Sequence, residues 1–145
     1  MTIIEKLKAL LVGSRNEQVE AEPTELIYIR LPEPLGPLDR GEKYEDPLDA
    51  ELRLTKLGYV SGGGSSLGDE KPDGTREIEW CGIDVDTAHV DEARALLREN
   101  LPELGCLKGT SLQFRKGDSP LQDMFDGNGW ELDLPRTDMH PGFGV

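Results

Sequence analysis

The order in which apolar periods change along this chain constrains its fold more than any other feature. A strand period comes first, then a helix period, two further strand runs, a second helix period and a last strand run. Leu26-Ile27-Tyr28-Ile29-Arg30-Leu31 is rich in β-branched and aromatic residues, with apolar side chains at alternate positions. Asp46-Pro47 offers an N-cap and a proline suited to a first helical position; Leu48, Leu52 and Leu54 or Leu57 follow at helical spacing up to Gly58. Tyr59-Val60-Ser61 opens a second strand that runs into Gly62-Gly63-Gly64-Ser65-Ser66. Residues 69–75, with Pro72 and Asp73-Gly74, predict a hairpin connection to a third strand over 78–86. Asp91 and Glu92 suit the first turn of a helix whose inner face is Val90, Ala93, Leu97 and Leu101, stopped by Pro102 or Gly105. Ser111-Leu112-Gln113-Phe114-Arg115 is the last strand.

This β-α-β-β-α-β order predicts an α+β domain of ferredoxin-like type over residues 26–116: an antiparallel sheet with both helices on one face. An amphipathic helix over 1–14 is expected before it, opened by the capping box Thr2-x-x-Glu5 and carrying Ile3, Ile4, Leu7, Leu10 and Leu11. Its apolar stripe suits the domain, a partner, or a second copy in a homodimer. Residues 15–25 read as an acidic linker. Residues 31–43 hold Pro32, Pro34, Pro37, Gly36 and Gly41, which predicts a long loop. Residues 117–145 are expected to form an irregular tail packing on the core, in which Trp130, Leu132 and Leu134 alternate as an edge strand would.

Charge narrows the partners. The 145 residues hold 29 Asp and Glu against 16 Lys and Arg, a formal net charge of −13. Such a chain repels nucleic acid and anionic membrane and attracts basic surfaces. No apolar run approaches the ~18 residues of a membrane span, and the start alternates charged and apolar residues too early for a signal peptide. Cys81 and Cys106 have no Cys-x-x-Cys spacing, so a disulfide framework is not expected and a reduced, cytoplasmic setting is.

Strand parity assigns faces. Ile27, Ile29, Leu31, Cys81, Ile83, Val85, Leu112 and Phe114 are expected against the helices. Tyr28, Arg30, Trp80, Gly82, Asp84, Asp86, Gln113 and Arg115 then lie on the open face. Aromatics on two central strands resemble the RNA recognition motif, which stacks bases there. Its Gly-aromatic and Lys/Arg elements are missing, and Asp84 and Asp86 would oppose a phosphate backbone. The C-terminal tail is first expected to fold over Tyr28 and Trp80. Otherwise the face receives a protein partner touching Tyr28, Trp80, Asp84 and Asp86.

Three motifs invite chemistry. Gly64-Ser65-Ser66-Leu67-Gly68 matches Gly-x-Ser-x-Gly, but hairpin residues follow where a nucleophile elbow needs a helix, so Ser66 is not expected to be a nucleophile. Gly62, Gly63, Gly64, Ser65 and Ser66 could hold an anion on backbone N–H groups. With loop 31–43 they make a small-molecule-binding or enzymatic domain the alternative reading. Asp84, Asp86, His89 and Asp91 are the acid–histidine cluster, and Asp126-Gly127-Asn128-Gly129 is faintly like a calcium loop with Trp130 in the wrong place. No metal and no cofactor is expected.

The segment from Tyr44-Glu45-Asp46-Pro47-Leu48 through Gly62-Gly63-Gly64-Ser65 resembles small acidic bacterial immunity-type proteins of toxin systems. Lys56-Leu57-Gly58-Tyr59 resembles the helix-to-strand turn of the ribonuclease E activity regulator of the B type, which is also acidic and ferredoxin-like. Neither resemblance assigns a functional residue. Together with the charge they imply a non-catalytic inhibitor or immunity protein whose partner is basic, such as a nuclease or toxin domain.

Overall fold

Strand and helix periods become one sheet with helices on one side. A computed structural model describes residues 24–136. The expected helix over 1–14, its homodimer, nearly all of the 15–25 linker and the tail beyond 136 lie outside the described residues. In chain order the elements are β1 (Glu25–Leu31), α1 (Pro37–Arg40), a π-helical turn (Gly41–Glu45), α2 (Asp46–Leu54), β2 (Tyr59–Leu67) and β3 (Ile78–Thr87). Then come α3 (Val90–Glu103), β4 (Ser111–Lys116), β5 (Ser119–Phe125) and β6 (Trp130–Pro135). The architecture is α+β. All pairings are antiparallel, and the strand order is β2-β3-β1-β4-β5-β6.

Register places the expected core together. Ile27 faces Val85, Ile29 faces Ile83 and Leu112, and Leu31 faces Cys81. All of these, with Phe114, are fully buried, beneath Leu48 and Leu52 of α2 and Ala93, Leu97 and Leu101 of α3. Each such aliphatic side chain contributes about 1.5–3 kcal/mol on leaving water. Among the described residues no helix is long and apolar enough to cross a membrane.

Two expectations are corrected. Residues 31–43 are not one loop: the chain turns helical at Pro37 and stays so to Leu54. Pro37 sits at a helix start, where its missing N–H costs nothing. Asp46 is therefore inside the helix rather than its N-cap; its backbone N–H reaches back to the Gly41 carbonyl, a bond of π-helical span. That wider turn precedes Pro47, whose ring would meet the Lys43 carbonyl in a regular α-helix.

The second correction is at 117–136, which is ordered sheet rather than irregular tail. Gly117-Asp118 links Lys116 to Ser119 as a two-residue hairpin with positive φ (61°) at the glycine, the type II′ pattern. Asp126 Oδ1 accepts the backbone N–H groups of Asn128 and Gly129, each at 2.8 Å, which closes the β5–β6 turn. Pro120 and Pro135 stand near strand ends, where a ladder tolerates a lost donor. The alternating Trp130, Leu132 and Leu134 do form the edge strand, although the chain breaks step at Asp133.

Candidate functional site

Register brings both sets of candidate residues to one patch. Tyr28 and Gly62 flank Asp84 on either side, Gly64 faces Gly82, Ser66 faces Trp80, and Tyr59 faces Asp86. On the face away from the helices, Gly62, Gly64 and Ser66 of β2 therefore adjoin Asp84, Asp86 and Trp80 of β3 and Tyr28 of β1. Gly63 and Ser65 pair with the core residues Ile83 and Cys81 and lie on the helix side.

Tyr28 does not stand out to solvent as parity alone suggested; it is 6% exposed. Its ring lies across Gly82, where an added Cβ would run into the hydroxyl and ring, with Cε2 at 2.5 Å. Trp80 stands edge-on to Tyr28, centroids 6.3 Å apart, and the Arg30 guanidinium covers the indole at 4.6 Å. Gln113, in the same row, is buried and accepts from Arg136 Nη1 at 3.2 Å. Aromatic, cationic and amide groups thus close the middle of this face. Half-buried Trp80 remains on the patch.

Asp84 is the anomalous group. Its Oδ1 is buried and has no hydrogen-bond partner among the described residues. Its Oδ2 leans over Gly62, 3.2 Å from where a Cβ would stand. Burial, and then the charge of Asp84, push the Tyr28 hydroxyl up to about 12. Above Gly64 the space is open: nothing lies within 4 Å of an added Cβ.

The helix side of β2 is taken by structure. Arg40 Nε meets Glu45 at 2.6 Å, and its Nη1 donates to Ser65 Oγ at 3.1 Å. Ser65 Oγ in turn donates to the Leu35 carbonyl at 3.1 Å. A side chain at 63 would collide with Glu45 and Arg40, so glycine there admits the latch. Below it, Glu33 accepts from Lys43 at 2.6 Å and from the Tyr44 hydroxyl. Since β2 is extended, its successive N–H groups alternate between edges and do not converge on one anion. Ser66 is followed by a strand end and a hairpin, so the strand–turn–helix context of a nucleophile elbow is not met.

The acid–histidine cluster disperses. Thr24 donates to Asp86 at 3.3 Å, Arg94 holds Asp91 at 2.9 Å, and His89 precedes α3 with its backbone N–H on Thr87 Oγ1. Among the described residues, no three His, Cys, Asp or Glu side chains are placed to share a metal ion.

Sequence reading missed one polar cluster altogether. Arg94 and Asp123, with side chains 4% and 0% exposed, form a bidentate pair: Nε to Oδ2 at 3.0 Å and Nη2 to Oδ1 at 2.8 Å. Arg98 Nη1 adds a bond to Oδ2, and the Asp133 backbone N–H one to Oδ1. Arg94 also lies 3.7 Å above the Phe114 ring. The available signal was Gly117-Asp118: reading it as a hairpin would have carried the inward parity on through Leu121, Asp123 and Phe125.

Buried protons set an alkaline limit. Tyr44 is raised by burial and by its hydrogen bond to Glu33; the thiols of Cys81 and Cys106, both free, are raised by burial. These groups stay protonated in the fold after they ionise in the unfolded chain. The folded state then binds more protons, and stability falls as pH rises. Loss should begin near the ordinary thiol value of 9.0 and steepen above the ordinary phenol value of 10.0. Urea titrations at pH ~8 to ~12 check this: Tyr28→Phe should flatten the decline between pH ~10 and ~12. An equally steep decline in that variant contradicts it.

The chain matches no protein-family model, no curated protein and no solved structure.

Proposed function

We propose that this chain is a non-catalytic interaction protein, an inhibitor or immunity protein, that binds a basic protein partner through the β2–β3–β1 patch. In this reading β1–β4 with the two helical segments form a ferredoxin-like unit, and β5 and β6 extend its sheet beside β4. The observation that carries it is the Asp84 carboxylate, buried at one oxygen with no hydrogen bond, beside Trp80 on a chain of net charge −13. A carboxylate oxygen shut from water without a hydrogen bond is costly, and a cation arriving beside the carboxylate offsets that cost. A half-buried tryptophan stiffened by neighbouring Tyr28 and Arg30 is a suitable anchor. Buried free thiols suit a reducing, cytoplasmic setting.

Binding kinetics with the partner recovered from the source cell test the reading. Asp84→Asn with Asp86→Asn should slow association, and so should salt, because opposite charges steer encounter over a screening length of about 10 Å at 0.1 M. Trp80→Ala should mainly raise the off-rate, by about 2 kcal/mol of lost affinity. Association indifferent to salt and to these residues would move the interface elsewhere. A second reading is a small-molecule site that uses residues 62–66 and 31–43. A thermal-shift screen with metabolites separates the two, since a ligand would raise the melting temperature without any protein present.

A further inference from the structure

The two edges of the sheet are built on opposite principles. β6 is six residues long, carries Glu131, Asp133 and Pro135, and leaves the extended region at Asp133, where φ is 57°. Shortness, charge, proline and a broken ladder are the devices that keep foreign strands off a sheet edge. β2, at the other edge, is nine residues long and has neither a charged residue nor a proline. Its register shifts between Val60 and Gly62 and again between Ser66 and Leu67. Residues 62–66 are left as an unbroken run, paired with β3 on one side and with no other strand among the described residues. Of the large apolar side chains left exposed, Tyr59 and Leu67 stand on β2 itself, and Leu38 and Leu54 on the helical segments that contact it.

We propose that the outer edge of β2, at residues 62–66, accepts an extended segment of a partner protein as an added strand, with a lysine or arginine of that segment reaching over Gly62 to Asp84. The proposal rests on the basic-partner reading and supplies its mode. Backbone hydrogen bonds to a bare edge give affinity, and side chains at alternate positions give selectivity. The added strand would lie about 4.8 Å outside β2 and twice that from β3. Side chains on β2 would normally separate a newcomer from β3. Here glycine removes them, and Asp84 Oδ2 leans over Gly62 toward the edge. A long cation therefore finds a carboxylate whose other oxygen lacks a hydrogen bond. A second copy of the chain is a poor occupant, because two chains of net charge −13 repel and its β2 carries no lysine or arginine to offer Asp84.

The test uses the full chain and two nine-residue peptides of alternating lysine and threonine, one ordinary and one fully N-methylated along its backbone. Charge and side chains are then equal, while the methyl groups remove the ladder donors and keep the backbone from pairing. The ordinary peptide should bind and slow hydrogen exchange at the outward-pointing amides of residues 62–66, those that do not bond to β3. The methylated peptide should bind at least about tenfold more weakly. Asp84→Asn should weaken the lysine–threonine peptide more than a serine–threonine one. Equal binding of both peptides, sensitive to salt, overturns the added strand while leaving the basic-partner reading in place. If neither peptide binds at low salt, that reading falls with it. Slow exchange before any peptide is added at the outward-pointing amides of 62–66, those that do not bond to β3, in a monomer or a dimer, also overturns the proposal, since the edge is then occupied by the chain itself or a second copy.

Discussion

Asp123→Ala is expected to lower the stability of the fold by about 3–5 kcal/mol, the range for removing one partner of a buried ion pair. The pair is not an ornament of the surface: neither side chain is appreciably exposed, and Asp123 accepts from Arg94, Arg98 and the backbone of Asp133. Removing the carboxylate strands the Arg94 guanidinium between its own helix α3 and the Phe114 ring, with Asp91 and Asp133 at its outer side. It also frees Asp133, a non-glycine residue held at positive φ, from the bond that fixes it. Urea unfolding measures the loss. Arg94→Met combined with Asp123→Leu should recover much of it, because apolar pairs of similar volume often replace buried ion pairs without penalty. A loss below about 1 kcal/mol for Asp123→Ala would mean that the β5–β6 hairpin is held by its apolar contacts alone.

Gly82→Ala should be nearly as damaging, at about 3 kcal/mol, the upper end for overpacking a filled site. The methyl group would enter the space of the Tyr28 hydroxyl and ring, and an aromatic ring cannot give way by bending. Tyr28 must swing out, which breaks its contact with Trp80 and opens the face between β3 and β1. Combining Gly82→Ala with Tyr28→Ala should therefore cost less than the sum of the two single changes, a coupling that a double-mutant cycle reads directly. Simple additivity would place the ring elsewhere. Gly64→Ala is the matched control: its Cβ meets nothing within 4 Å, so it should change stability by no more than the usual glycine-to-alanine difference in a strand.

What local pattern determines here is parity. Ile27 and Ile29, Cys81, Ile83 and Val85, and Leu112 and Phe114 each alternate within one strand, so their common burial follows from a period of two residues and needs no knowledge of the neighbours. Helix existence was equally legible in Ala93, Leu97 and Leu101, although α1 was hidden because Pro37 read as a loop residue and Asp46-Pro47 as a fresh helix start until the π turn between them is known. Chain order and charge likewise belong to the sequence. The tertiary structure alone decided which residues meet across elements. Arg94 and Asp123 are 29 positions apart, and only strand order and the β4–β5 register put one beneath the other. The same holds for Tyr28, whose parity says open face but whose ring is buried because Gly82 stands beside it on another strand. Whether an edge is guarded is settled the same way: the lack of charge in β2 becomes meaningful only once the fold puts that strand outermost. Periodicity is a property of one segment, whereas partnership depends on the distances between segments, which the pattern of a single segment does not contain.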